Sequence, residues 1–239
     1  MFVNNLVIFL AALPAIVVSS PAGLHDNDYG NGGRYGFKSC KDRGVRPGKV
    51  SCINFDSIET NATTGLATVP KDYTGLTFSP QWSVINVTAS KNKLPAGNYH
   101  SAVSKPNALI GSKYNPNNKN DRCPASFSVK DGTFDLFGFY VQPMGSPPPG
   151  VWVNVIGHPA DEKEKPFEHS FEFSHDVVRP SYFDTDKDVP DPRLWNNLKK
   201  VEVWSTYGEM DWEFFVDDIW VRWGNETEST FTAQNNELR

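Results

Sequence analysis

Several groups of residues in this chain have types and spacing that could do chemistry. Asp184-Thr185-Asp186-Lys187-Asp188 opens like a calcium loop, with carboxylates at alternate positions. The pattern then fails: Val189 stands where such a loop needs glycine, and Trp195 where it needs a bidentate glutamate. A solvated acidic loop is the simpler reading. Glu209, Asp211 and Glu213 flank Trp212, and strand alternation would put all three carboxylates on one solvent face. Glycoside hydrolysis needs two carboxyls across a cleft, and these three could supply an acid pair, but carboxylates on a strand face are usually only solvated charge. No Gly-x-Ser-x-Gly occurs. Histidines 25, 100, 158, 169 and 175 form neither His-x-His nor His-Glu-x-x-His. These observations favour a protein that is not an enzyme.

Aromatic residues offer a different chemistry. Sugars bind on aromatic platforms under the apolar pyranose face, with amides and carboxylates bonding the hydroxyls. Trp195 is followed by Asn196 and Asn197 at the end of the acidic stretch. Tyr207 and Trp212 flank a turn at Gly208. Both sets fall between candidate strands, where rim loops carry binding. The expected carbohydrate-binding residues are therefore Trp195, Asn196, Asn197, Tyr207 and Trp212. The alternative for Trp195 is that it folds back and plugs the end of the core. Trp152, Trp204 and Trp220 stand opposite inward residues in their strands and could lie exposed on a sheet face or under loops.

The elements that must position these residues are strands. Short runs of β-branched and aromatic residues recur between Gly, Pro, Asn and Asp clusters. The clearest are residues 50–55, 125–129, 133–141, 151–157, 167–173, 198–205 and 213–223, with weaker ones at 76–82 and 108–110. Alternation is good at Val151, Val153 and Val155 and at Phe167, Phe171 and Phe173, so one face is buried and the other wet. No segment keeps a helical period, and the 18 prolines argue against long helices. An all-β, antiparallel β-sandwich with few short helices follows. Phe55, Phe134, Leu136, Val153, Val155, Val201, Val203 and Ile219 are its expected core. In the last strand Phe214 and Val216 share one parity, and Ile219, Val221 and Trp223 the other. Either a β-bulge at Asp217-Asp218 turns all five inward, or both parities are covered.

Residues 6–18 form an apolar run too short to span a bilayer comfortably. Ser19, Ser20, Ala22 and Gly23 follow, the pattern of a signal peptide over 1–22. The expected layout continues with a Gly- and Asn-rich flexible arm over 23–49, the sandwich over 50–223 and a disordered polar tail over 224–239. Cys40, Cys52 and Cys123 allow three single disulfides in a secreted chain. Cys40–Cys52 is the expected pair, closing a short loop that staples the arm to the first strand. Asn61, Asn86 and Asn225 each begin an Asn-x-Thr acceptor site for N-glycosylation. The net charge of -5 gives no reason to expect nucleic acid. No later stretch is long and apolar enough to cross a membrane.

The order Ile53-Asn54-Phe55-Asp56, Gly75-Leu76 with Trp82, Asn107-Ala108, Ala125-Ser126-Phe127, Gly132-Thr133-Phe134-Asp135-Leu136, Val153-Asn154-Val155-Ile156-Gly157 and Phe215-Val216-Asp217-Asp218-Ile219 resembles a group of small secreted fungal proteins of unassigned function. Their domain is similar to a galactose-binding-type jelly roll, the sandwich shared by many carbohydrate-binding modules. The resemblance spans roughly residues 50–223 and implies that the first and last strands lie side by side. Asp56, Asp217 and Asp218 would then meet and could hold a structural Ca²⁺, which takes oxygen ligands. If the loops ending in Trp195 and turning at Gly208 share a rim, their aromatic faces would converge on one ligand. The Pro-rich turn at 146–150 and the acidic loop 174–197 depart from the group's pattern. The expected function is a secreted, non-catalytic module binding polysaccharide or glycan at a cell wall or extracellular matrix. The alternative is a secreted effector-like virulence protein that binds a host protein, with a secreted glycosidase third.

Overall fold

The computed structural model describes residue 40 and residues 50–94, 98–112, 123–173 and 180–224. All belong to one unit, Lys38–Arg239. The expected signal peptide and Asn225, with nearly all of the arm and tail, lie outside the described residues.

Among the described residues the strands are β1 Val50–Ile53, β2 Leu66–Ala67, β3 Thr77–Phe78, β4 Trp82–Asn86, β5 Asn107–Gly111 and β6 Ala125–Ser128. There follow β7 Phe134–Pro143, β8 Val151–Pro159, β9 Phe167–Glu172, β10 Ser181–Asp184, β11 Leu198–Tyr207, β12 Met210–Trp212 and β13 Phe214–Trp223. Every pairing is antiparallel. One layer runs β9-β8-β11-β6-β3, with β12 beside the end of β11. The other runs β2-β4-β5-β13-β7-β10, with β1 taking over from β5 along the second half of β13. A single pair, Leu198 with Phe134, joins the layers at one corner. The protein is an antiparallel β-sandwich of jelly-roll type.

Period-two placement decides which side chains meet between the layers. Val153, Val155, Val201, Val203 and Phe127 from one layer share a core with Leu109, Phe139, Val141, Phe214 and Val216 from the other. All eight expected core residues are buried. The bulge in β13 exists: between Asp217 and Trp220 the chain advances three residues while its partner β7 moves only from Tyr140 to Gly138. Asp218 takes the strained left-handed conformation there, with φ 48°. The extra residue turns Ile219 and Val221 inward after Phe214 and Val216. Opposite it, Gly138 has φ 149°, and any Cβ would collide with the Phe183 carbonyl oxygen.

One sequence expectation is corrected here. Residues 174–197 are not one loop: β10 pairs Ser181–Asp184 against β7, and a short 3₁₀ turn covers Pro192–Trp195. Alternation over Tyr182 and Phe183 was too short to stand out between acidic and proline-rich neighbours. Of the three tryptophans whose placement the sequence left open, Trp220 is buried.

The two outer faces differ. Over the β13 layer, residues 87–94 and 98–106 form a roof, under which Ile85, Ala108 and Phe215 form a second apolar cluster with Leu94 and Ala102. Polar bonds hold that roof: Ser101 to Gln142, Asn98 to the Pro143 carbonyl, and Val103 and Ser104 to Asp217. Over the β8–β11 layer the outward side chains of β6, β8, β9, β11 and β12 are all half-buried or exposed. Nothing covers that face among the described residues.

Candidate functional site

The open face is a lattice set by register. Side chains directly opposite on antiparallel strands share a face, about 5 Å apart. One row is Glu172 on β9, Trp152 on β8, Thr206 on β11 and Asp211 on β12. The next is Ser170, Asn154 and Trp204. The third is Glu168, Ile156, Glu202 and Ser126, and the fourth pairs His158, Lys200 and Ser128. Trp152 is 43% exposed. Trp204 is its diagonal neighbour, half-buried, so two indoles lie on adjoining strands. Ser170 bonds Asn154 at 2.8 Å, which places a hydroxyl and an amide beside the indoles. In the lower rows Lys200 bonds Glu202 at 2.7 Å, and His158 Nε2 lies 3.3 Å from its other oxygen. Partial burial alone would raise the Glu202 pKa; these two partners outweigh it and hold the carboxyl below its ordinary range.

The expected rim site is only partly assembled. Tyr207 and Trp212 do meet, edge to face, with ring centres 6.2 Å apart. Tyr207 is exposed, and the Trp212 indole N–H is committed to the Met144 carbonyl. Trp195, Asn196 and Asn197 do not join them. They precede Leu198, the first residue of β11, whereas Tyr207 is its last, roughly 30 Å away along an extended strand. Trp195 is also buried, with its ring against Phe167 and Phe183. Asn197 has φ 56°, and its N–H bonds Asp135. The shared-rim expectation is therefore corrected, and Trp195 is a core residue. Parity in the sequence already marked Trp152 and Trp204 as alternating with inward residues, and register now places them side by side on the open face.

The aspartates of the calcium expectation are not gathered into one ligand set. Asp217 is fully buried, and its oxygens accept the N–H groups of Val103, Ser104 and Asp218 at 2.7, 2.9 and 2.8 Å. Asp218 Oδ2 accepts Cys40 N–H at 2.9 Å, and Asp56 Oδ1 accepts Asn107 N–H at 3.1 Å. The one convergent group among the described residues is Asp218 with Cys40 and Cys52. Those cysteines are joined in the expected disulfide, so they supply no thiolate. A hard cation wants oxygens, and these carboxylates face N–H donors and disulfide sulfurs. The residues do not fit the ion as a trio; they organise the strand ends. In the second acidic cluster Asp184 and Asp188 likewise accept local N–H groups, from Asp186 and Asp184.

No protein-family model matches the chain. No curated protein matches it. Among solved structures it is similar to the Clostridium thermocellum N-terminal endo-1,4-β-D-xylanase 10B, CBM22-1–GH10 modules, complexed with xylohexaose. The identity is 10% and the TM-score 0.34; the match covers 75% of this chain and 29% of that one. A likeness of this size fixes neither ligand nor activity, and the functional reading rests on the geometry above.

Proposed function

We propose that this chain is a secreted glycan-binding module whose binding surface is the open face of the β8–β11 layer. The observation that carries the reading is the contrast between the two outer faces. One is roofed; the other is uncovered among the described residues and presents Trp152 and Trp204 beside Asn154, Ser170 and Thr206. An exposed indole, Trp152, with the half-buried Trp204 diagonal to it and amides and hydroxyls in reach, matches what a sugar chain requires: apolar faces to cover and hydroxyls to bond. A rigid sheet holds these groups more precisely than a loop would. Trp152→Ala is expected to lower affinity for a bound polysaccharide at least tenfold, and Trp204→Ala several-fold, with melting temperature nearly unchanged. Pull-down on insoluble cellulose, chitin and β-glucan measures this directly. Full binding by both variants would place the site elsewhere.

Secretion belongs to the same proposal. It is supported by the apolar N-terminal run and by a disulfide of the sort that persists in oxidising compartments. Of the acceptor asparagines in the described residues, Asn61 is exposed in a turn, its Oδ1 accepting the N–H groups of Thr63 and Thr64. Asn86 ends β4, is half-buried and lines a polar cleft with Asp56 and Asn107. Asn61 is thus the better glycan carrier. Secreted protein should lose mass on treatment with an N-glycan amidase, and Asn61→Gln should remove most of that shift. A shift of undiminished size in the variant would move the glycan to another acceptor.

A further inference from the structure

We propose that the open face selects its glycan by charge, taking chains that bear protonated amino groups, such as glucosamine-rich polymers, and excluding polyuronates. This rests on the glycan-binding reading and names the substrate class of that same site. Outward on β6, β8, β9, β11 and β12 stand four carboxylates, Glu168, Glu172, Glu202 and Asp211. Against them stand Lys200 and His158, and both are turned to Glu202. Among the described residues the Lys200 ammonium and the His158 imidazole of this face are thus turned to a carboxylate within it, in the rows farthest from Trp152. Glu168, Glu172 and Asp211 form no ion pair with the described Lys200 or His158.

Their placement matters more than their number. Glu172 and Asp211 end the row that contains Trp152, one on each side of the platform, about 5 and 10 Å from it at the usual strand spacing. A pyranose stacked on Trp152 directs its ring substituents sideways along that row. An ammonium substituent meets a carboxylate in either direction; a uronate meets like charge. Glu172 is held in place because one of its oxygens accepts the Gly150 N–H at 2.7 Å. Exposed pairs are individually weak and screened by salt, so the preference should be several-fold at low ionic strength and should fade above it.

The test uses the full secreted chain and three oligosaccharide probes of matched length: glucosamine oligomers, their fully N-acetylated neutral counterparts, and oligogalacturonate. Calorimetry in mildly acidic, low-salt buffer should give roughly fivefold tighter binding to the glucosamine oligomer than to its acetylated form. No measurable binding to oligogalacturonate is expected. In the double variant Glu172→Gln/Asp211→Asn the ratio should fall towards one. A control, Glu162→Gln/Glu164→Gln, removes two exposed charges from the β8–β9 turn and should leave the ratio as it was. Equal affinity for the two glucosamine-type probes in the unmodified protein would overturn the charge inference and leave the glycan reading standing. An equal fall in the control would trace the preference to overall charge and overturn it too. Failure to bind any probe or any insoluble glycan would overturn both.

Discussion

Asp217→Ala is expected to cost about 3–5 kcal/mol of folding stability, a large fraction of the margin of an ordinary domain. Asp217 stands at the bulge of β13, fully buried, and accepts three backbone N–H groups. Two of them, from Val103 and Ser104, belong to the roof over Ile85, Ala108 and Phe215. Alanine strands all three donors and releases the roof. Each unsatisfied buried donor costs about 1–3 kcal/mol, and water entering the gap recovers part. The melting temperature should fall by roughly 10 °C or more. Asp217→Asn keeps one oxygen for Val103 and Ser104 but turns an amide against Asp218 N–H, so its loss should be intermediate. A melting curve unchanged in the alanine variant would mean that water, rather than the carboxylate, satisfies these amides.

The same residue gives stability a pH signature. Burial raises the Asp217 pKa well above its ordinary 3.8, and the charges of Asp218 and Asp56 add to this; the N–H bonds from Asp218 and Ser104 pull the other way but do not prevail. The native state therefore binds this proton more tightly than the unfolded chain does. The group's contribution is complete below 3.8 and is lost as pH rises through the raised value. Glu202, whose pKa is lowered, behaves oppositely and loses its contribution as pH falls. Denaturant unfolding at several pH values isolates the Asp217 part. The difference between native protein and Asp217→Asn should shift towards the variant as pH rises from about 4.

Most of the sandwich was legible because its strands are half-buried and therefore alternate. Val151, Val153 and Val155 declare their face without help, and the parity change between Val216 and Ile219 left a bulge as one of two arrangements, which the strand pairing decides. Two-residue strands such as β2 and β3 carry too little alternation to detect, and β10 hid between acidic and proline-rich residues. The candidate site was less legible for a physical reason. A binding face on a sheet is assembled from residues far apart in sequence: Glu172, Trp152, Thr206 and Asp211 become one row only through pairing. Loops advertise themselves by composition, which is why Trp195 and Gly208 stand out in the sequence. The distance between them is fixed by the length of β11, and a strand boundary at residue 205 or 207 does not change the outcome: the two loops leave opposite ends of one strand.

Two tryptophans should therefore respond in opposite ways to the same substitution. Trp195→Ala should lower stability by about 3–5 kcal/mol, as removal of a buried large aromatic does. The indole closes one end of the sandwich between the layers, its ring centre 4.9 Å from Phe167 on β9 and 5.2 Å from Phe183 on β10, both edge to face. The turn that carries it is set by Asp191, whose side chain accepts the Arg193 N–H, and by Pro192 in its first position. Such a turn can be well formed and still leave a hole where the ring was. Trp195→Phe fills part of that hole and should recover part of the loss. Trp152→Ala removes a ring already 43% exposed and should change stability by no more than about 0.5–1 kcal/mol, while abolishing most glycan affinity. Thermal melts and polysaccharide pull-downs on the same preparations separate the two effects. Trp195→Ala protein that survives folding should still bind through the open face, because the row containing Trp152 lies at the other end of β11. Loss of binding in Trp195→Ala at unchanged melting temperature would reverse the assignment and return the site to the rim next to Asn196. A fall in melting temperature with binding retained leaves Trp195 where its neighbours put it, in the core.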